Sequence, residues 1–193
     1  ANRIQQQFND SAQTKVAALA AMAAPIEAAA RRMTASLKAG GKVMACGNGG
    51  SAADSQHFAA ELLNRFEKER PPLAAIALPT DTSPLTSIGN DYRFEDVFAK
   101  QVKALGRAGD VLLAISTSGN SPNVLEAMAA AQAAGVRVVA LTGKDGGKMA
   151  GRLAAGDINL CVPASRTARI QEVHLLTLHC LCDGIDTLLL GEN

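Results

Sequence analysis

The chain has 193 residues, a formal net charge of +1, an aromatic content of 3% and no Trp. That length is enough for one domain with a sizeable core. The composition shows neither the basic surface nor the aromatic stacking platform of a nucleic-acid-binding protein, so we expect no direct nucleic-acid partner.

The amino-terminal residues and the apolar runs together predict a cytoplasmic protein. The segment ANRIQQQFNDSAQTK lacks the basic start and the apolar stretch of a secretory signal. No apolar run approaches the ~20 residues that span a bilayer, so we expect no membrane partner. The cysteines form no C-x-x-C pair and are expected to be buried free thiols: Cys46, Cys161, Cys180 and Cys182.

Residues 2–38 have helical periodicity and precede any strand. We therefore expect an amino-terminal helical arm over residues 1–40. The helix is predicted to break near Ala24 and Pro25, because a proline disfavours helical geometry in the residue before it. Such an arm often packs against another subunit.

After residue 40, short apolar runs alternate with segments of helical period, which is typical of a parallel sheet with crossover helices. The runs are apolar at nearly every position, as expected when helices cover both faces of the sheet. The predicted fold is α/β, a doubly wound five-stranded parallel sheet, with an α/β core at 41–193 in a single domain covering 1–193. The predicted strands are 42–47, 73–78, 110–116, 137–143 and 157–163.

Two later helices have distinct signals. In SPNVLEAMAAAQAAG, Ser121 is placed to cap the helix, Pro122 to enter its first turn and Gly135 to end it. The carboxyl-terminal stretch ARIQEVHLLTLHCLCDGIDTLLL is apolar around most of its helical circumference. A surface helix of a monomer does not need such a pattern, so we expect this helix to be buried in an oligomer.

Two unusual loops follow the first and third predicted strands, where the ligand crevice of an open parallel sheet lies. GNGGSA combines flexible glycines with a serine at the mouth of the next helix. STSGNS crowds hydroxyl groups at another helix start, where free N–H groups and the helix dipole favour an anion. The loop residues are Gly47, Gly49, Gly50 and Ser51 in the first, and Ser116, Thr117, Ser118, Gly119 and Ser121 in the second.

Two other interpretations of these loops remain open. Either loop alone is compatible with an ordinary turn that carries capping residues. GNGGSA also fits the loose dinucleotide pattern G-x-G-x-x-A, with Asp81 as the ribose ligand. We favour a phosphorylated sugar, because its phosphate and hydroxyl groups use many donors, whereas a dinucleotide fold does not predict a second hydroxyl-rich loop.

His57 and Glu61 are four residues apart in the helix that follows GNGGSA, so both project from one helix face. Interconversion of a ketose and an aldose needs a base and an acid, and a carboxylate and an imidazole suit these roles. The same pair suits a divalent metal ion. The alternative is a solvated polar pair without a chemical role.

In GNGGSA, STSGNS and the order of its elements, nearly the whole chain resembles the sugar isomerase (SIS) family. HFAAELLNRF, IGNDY, LLAISTSGNS and RIQEVHLLTLHC are similar to the enzymes of that family that act on sedoheptulose 7-phosphate. The resemblance implies isomerisation of that ketose to D-glycero-D-manno-heptose 7-phosphate through an enediol, the first step of ADP-heptose and lipopolysaccharide core biosynthesis. The alternative is a non-catalytic relative, the DnaA initiator-associating protein. A sugar-phosphate-sensing regulator is disfavoured, because no DNA-binding element accompanies the sheet.

The resemblance also implies the site residues. Glu61 is the base, His179 is its partner acid, and one zinc ion per subunit of a homotetramer is bound by His57, Glu61, Gln171 and His179. Arg65 either reaches the sugar or lies in solvent. The implied substrate contacts are Asn48, Gly49, Gly50, Ser51, Glu61, Arg65, Asn90, Asp91, Ser116, Thr117, Ser118, Ser121 and Gln171.

The carboxyl-terminal helix leaves one question about its ligands open. Gln171 and His179 are eight residues apart, which on one helix is a rise of ~12 Å and a turn of ~80°. They share an ion only if both side chains lean toward a midpoint or if a neighbouring chain supplies one of them. The alternative for His179 is a buried histidine bonded to Asp183, and for His174 burial is the interpretation we prefer.

Overall fold

The computed structural model describes residues 2–191, so the predicted domain limits at residues 1 and 193 lie outside it. A 3-10 turn at Phe94–Asp96 precedes the fourth helix. The strands are β1 Val43–Cys46, β2 Ala75–Ala77, β3 Val111–Ser116, β4 Arg137–Gly143 and β5 Ile158–Val162. The helices are α1 Asn2–Lys38, α2 Gly50–Leu63, α3 Thr82–Asp91, α4 Val97–Leu105, α5 Pro122–Ala133, α6 Gly147–Ala150 and α7 Thr167–Leu190.

The strands form one parallel sheet in the order β2-β1-β3-β4-β5. All five predicted strands occur, with β4 at its predicted limits and the others one or more residues shorter. After β2 the chain returns to the other side of β1, so the direction of winding reverses between β1 and β3. This reversal is the switch point at which ligands bind in doubly wound folds. The predicted fold class is confirmed.

Helices cover both faces of the sheet and produce two apolar cores. One core contains Met33 of α1, Phe58 of α2 and Ile170 of α7. The other contains Phe98 of α4 and Met128 of α5. Adjacent strand residues point to opposite faces, so every position of β3 is buried. This double burial is the physical reason for the uninterrupted apolar runs in the sequence.

Helix α1 continues through Pro25, so the predicted break near Ala24 and Pro25 is wrong. A proline in a helix interior lacks the N–H that bonds the carbonyl four residues earlier, at a cost of ~3 kcal/mol. That carbonyl belongs to Ala21, which is exposed and open to water. Met22 and Met33 are fully buried on either side, and each contributes ~1.5 to 3 kcal/mol. Packing therefore outweighs the local preference.

Helix α7 is long and apolar enough to cross a membrane by length and composition, with a mean hydropathy of 1.4 over 18 residues. The expectation that no such run exists is therefore wrong. In the folded chain, however, α7 packs against α1 and α2 as a core helix of the domain. Leu178, Leu181 and Ile185 are fully buried there, and Leu175 and Leu176 remain exposed. The fold of one chain buries 44% of this apolar window of 18 residues.

The four cysteines differ in burial. All four are free, Cys46 and Cys182 are buried, and Cys161 is half-buried. Burial raises the pKa of both buried thiols to about 12, so they are neutral at pH 7. Cys180 is exposed on α7, so the prediction of burial is wrong for this residue.

His174 is a fully buried histidine, as the sequence interpretation expected. Its Nε2 donates to the Thr142 carbonyl at 2.9 Å, and its Nδ1 has no partner among residues 2–191. Burial lowers the pKa of His174 from 6.5 to about 4, although the bond to Thr142 opposes this shift. The imidazole is therefore neutral at pH 7 and links α7 to the end of β4.

We expect the stability of the protein to fall as the pH decreases from about 6.5 to about 4. In this pH window the unfolded state takes up a proton at His174 that the folded state excludes. Above pH 6.5 the His174 imidazole is neutral in both states. The shift in pKa corresponds to about 3 kcal/mol. Thermal unfolding at several pH values measures it. His174→Gln keeps an amide donor that does not titrate, and an equal pH dependence in this variant would contradict the assignment.

Candidate functional site

The GNGGSA loop joins β1 to α2 in a tight turn. The Ser51 amide donates to the Asn48 carbonyl at 2.9 Å, and Gly49 has a φ of 55°. A Cβ atom at Gly47 would lie only 2.7 Å from the Ser51 side chain. The turn therefore requires glycines, and it places backbone groups and the start of α2 at the carboxyl end of β1.

The STSGNS loop lies beside it, between β3 and α5. The Ser116 and Ser121 hydroxyls are 2.9 Å apart, and the Asn120 amide donates to the Ser118 hydroxyl at 3.2 Å. Thr117 is half-buried within the loop. Ser121 is the first residue before α5, as predicted, but its side chain bonds Ser116 and makes no capping bond. The loop thus presents hydroxyl groups at a helix amino terminus and contains no Lys or Arg.

A reciprocal pair of amide side chains connects the two loops. Asn48 Nδ2 donates to Asn123 Oδ1, and Asn123 Nδ2 donates to Asn48 Oδ1, both at 2.8 Å. Asn123 is buried in the first turn of α5. The side chain of Asn48, which the resemblance assigns to substrate, is therefore engaged in holding the loops together.

His57, Glu61 and His179 come together within one chain. Glu61 Oε1 lies 3.1 Å from His57 Nε2, and His57 Nε2 lies 3.2 Å from His179 Nε2. The first two residues belong to α2 and the third to α7, and the Phe66 ring lies 5.4 Å from that of His179. His179 faces His57, so the alternative of a bond to Asp183 is wrong. The cluster does not need a side chain from a neighbouring chain.

The donor atoms of this cluster are of the types that bind zinc. Imidazole nitrogens and carboxylate oxygens are common zinc ligands, and bonds of 2.0 to 2.1 Å in a tetrahedron place neighbouring ligands ~3.3 Å apart. Within residues 2–191, no group of three or more His, Cys, Asp or Glu side chains is arranged so that it could hold a metal ion. The fourth predicted ligand, Gln171, lies next to the GNGGSA loop, where a Cβ atom at Gly50 would be 2.5 Å from its Nε2.

Three predicted contacts lie apart from the cluster. Arg65 forms an exposed ion pair with Glu69 at 3.0 Å, which favours the solvent interpretation of this residue. Asn90 Nδ2 donates to Asp91 Oδ1 at 2.8 Å, and both are exposed on α3. In the described part of the chain, this pair makes no side-chain hydrogen bond to the other predicted site residues.

Asp81, proposed above as an alternative ribose ligand, has a structural role. Its carboxylate accepts a hydrogen bond from the Ser83 amide at 3.1 Å and caps the amino terminus of α3. Capping accounts for an aspartate at this position. This contact and the second loop both speak against the dinucleotide interpretation.

Three residues near the site were missed by the sequence interpretation. They are Asn123, Phe66 and Asp54, which precedes His57 by one helical turn. Partial burial raises the pKa of Asp54, and the nearby His57 opposes this shift. The sequence signals for these residues were weak, because packing or solvation usually accounts for a single amide, aromatic ring or carboxylate on a helix.

Comparison with known proteins identifies the family. The SIS domain model matches residues 7–143. A phosphoheptose isomerase from Azoarcus sp. is 72% identical over 190 residues, which cover 98% of this chain and 96% of the relative.

Two solved structures agree with this match. The phosphoheptose isomerase from Neisseria gonorrhoeae is 54% identical with a TM-score of 0.92, and covers 96% of this chain and 98% of its own. The one from Francisella tularensis is 47% identical with a TM-score of 0.94, and covers 96% of this chain and 97% of its own. The chain therefore belongs to the SIS domain family and, within it, to the phosphoheptose isomerases.

Proposed function

We propose that the protein converts sedoheptulose 7-phosphate to D-glycero-D-manno-heptose 7-phosphate, and so begins the synthesis of ADP-heptose for lipopolysaccharide cores. The observation that carries the proposal is the juxtaposition of an acid–base cluster and a hydroxyl-rich helix start at the switch point of the sheet. A ketose phosphate needs both, because its phosphate must be held while protons move at the other end of the sugar.

Glu61 and His179 supply the proton transfers in this proposal. Glu61 removes a proton from the first carbon while His179 protonates the oxygen on the second carbon, which gives an enediol. Glu61 then returns the proton to the second carbon, and His179 accepts the proton from the oxygen on the first. The contact between Glu61 and His57 uses only Oε1, so the carboxylate has a second oxygen for the substrate.

The phosphate is assigned to the STSGNS loop. Serine hydroxyls and the amino terminus of α5 provide donors and a favourable dipole without any basic side chain. The Asn48–Asn123 pair holds this loop in register with GNGGSA, so the phosphate and the reacting carbons are bound by one rigid unit. Gln171, next to Gly50, is placed to contact the sugar between them.

The non-catalytic alternative has less support. In initiator-associating proteins the resemblance suggests that the counterparts of Glu61 and His179 are replaced, and both are present here. The test is to incubate the purified protein with sedoheptulose 7-phosphate and to follow the sugar by NMR. We expect aldoheptose phosphate to appear, and an unchanged ketose spectrum would overturn the proposal.

We also propose that His57, Glu61 and His179 bind one zinc ion, with Gln171 as a weaker fourth ligand. His179 would then bind the ion through one ring nitrogen and transfer protons through the other. When bound, zinc supplies Lewis-acid stabilisation of the negatively charged oxygen of the enediolate. The support is the donor type of the cluster and the approach of the two imidazole Nε2 atoms to 3.2 Å.

Removal of metal by a chelator is expected to reduce activity and to lower the thermal unfolding midpoint, because the ion joins α2 to α7. Readdition of zinc should restore both quantities. His57→Asn tests the ligand assignment by calorimetric titration with zinc, which we expect to bind this variant at least about tenfold more weakly. Unchanged zinc affinity would contradict the assignment.

The assembly is proposed to be a cytoplasmic homotetramer of one-domain chains. A groove of about 470 Å³ lies between α1 and α7, and its lining includes Leu19, Ile26 and Leu176. Exposed apolar residues continue along α1 as Ile4, Phe8 and Val16, and a second copy would cover them. Light scattering should give four times the chain mass of 19.9 kDa, and a monomer would overturn this proposal.

A further inference from the structure

Arg70 is a charged residue in the interior of the protein. Its side chain is only 1% exposed, and its Nε donates to Asp186 Oδ1 at 2.6 Å. Asp186 is itself buried, with a side-chain exposure of 2%. A buried ion pair of this kind is expensive to desolvate and is often no more stabilising than apolar residues of the same volume. Its presence therefore calls for a role other than stability.

The remaining donors of Arg70 bond the end of α2. Nη2 donates to the Glu61 carbonyl at 2.7 Å, and Nη1 donates to the Leu62 carbonyl at 2.9 Å. These carbonyls belong to the last turn of α2, where no later helical N–H is available to bond them. The Leu62 carbonyl also accepts from the Leu73 amide at 2.9 Å, so Arg70 supplies the bond to Glu61 alone and shares the one to Leu62. The cation also complements the negative end of the helix dipole. Arg70 therefore fixes the carboxyl terminus of α2 through the backbone of Glu61 itself.

The other end of this connection is α7. Asp186 follows His179 by seven residues, which is two helical turns, so both project from a similar face of α7. A single guanidinium thus connects the backbone of Glu61 to the helix that carries His179. The planar fork of Arg bonds several acceptors at fixed angles, and the single ammonium of Lys does not reproduce this geometry.

We propose that Arg70 is a positioning residue that sets the placement of Glu61 relative to His179. This proposal rests on the isomerase function proposed above. A displacement of a catalytic group by about 1 Å can cost about 100-fold in rate. Substrate binding is set mainly by the loops after β1 and β3, which Arg70 does not contact.

The test is a kinetic comparison of Arg70→Lys with wild type. We expect kcat to fall about 10- to 100-fold and KM for sedoheptulose 7-phosphate to change less than about threefold. Arg137→Lys is the matched substitution, because Arg137 also donates to a backbone carbonyl, that of Ala155, but lies at the opposite end of the sheet. Its kinetic constants should equal those of wild type.

A stability control separates positioning from folding. Val102→Ala creates a cavity in the core on the other face of the sheet, away from α2 and α7, and lowers the thermal unfolding midpoint. If Arg70→Lys loses no more kcat than Val102→Ala, or if its loss lies in KM, the positioning proposal is overturned. If Arg70→Lys is unfolded at the assay temperature, Asp186→Asn is compared with wild type and Val102→Ala instead. The same results for kcat and KM then support or overturn the proposal. A wild-type chain that does not isomerise the sugar overturns the proposed function, and the role of Arg70 with it.

Discussion

Glu61→Gln and His179→Asn are each expected to abolish isomerisation while leaving the chain folded. Each substitution removes a proton-transfer group with little change in volume, and loss of such a group typically lowers kcat by about 10²- to 10⁴-fold. Glu61 and His179 lie 3.1 and 3.2 Å from His57, and each substitution keeps a polar side chain at that contact, so we expect the surrounding packing to stay in place. The measurements are kcat by NMR and the thermal unfolding midpoint of each variant.

Glu69→Gln is the matched control for Glu61→Gln. Glu69 also pairs with a residue four positions away, Arg65, but lies outside the cluster. It should retain wild-type turnover. Near-normal turnover in either cluster variant would show that another group moves the proton, and unfolding together with inactivity would indicate a structural role.

Mixing the inactive Glu61→Gln and His179→Asn chains after dissociation tests whether one active site takes these two residues from different subunits. One chain brings both residues to His57, so we expect no recovery of activity in mixed assemblies confirmed by mass spectrometry. Recovered activity would mean that the functional pair is formed across an interface.

Gly119→Ala is expected to displace the STSGNS loop and to weaken binding of the sugar phosphate by at least about tenfold. Gly119 has a φ of 65°, and an added Cβ atom would collide with the Gly146 carbonyl. Neither backbone segment is free to move, because the Met149 amide donates to the Gly119 carbonyl at 2.9 Å. Calorimetric titration with sedoheptulose 7-phosphate measures the loss of affinity.

Gly109→Ala is the matched control for this backbone effect. Gly109 also has a positive φ, of 93°, but an added Cβ would meet nothing within 4 Å. The residue precedes β3 at the amino-terminal end of the strands, opposite the two loops. We expect a stability loss of about 1 kcal/mol and unchanged affinity. Ser118→Ala should have a smaller effect than Gly119→Ala, about two- to tenfold, because it removes one hydroxyl. If Gly119→Ala and Ser118→Ala both bind the sugar phosphate with unchanged affinity, the phosphate site would be assigned to the GNGGSA loop instead.

The amino-acid sequence by itself determined the fold class and the position of the two loops. The hydrophobic periodicity of a helix and the uninterrupted apolar run of a strand buried on both faces are visible within the segment itself. For this reason β3 and β4 were predicted within one residue of their limits. The spacing of His57 and Glu61 also predicted their contact, because a helix places residues four apart on one face. These features need no knowledge of distant contacts.

Tertiary structure decided which distant residues meet. Helix α1 passes through Pro25 because Met22 and Met33 are buried in the apolar core, and local helix propensity does not include the free energy gained by that burial. Part of the apolar surface of α7 packs against α1 and α2 of the same chain. Pairs such as Asn48 with Asn123 and Arg70 with Asp186 join residues separated by 75 and 116 positions. Such contacts depend on how helices pack on the sheet, and a single sequence has no periodic signal for them.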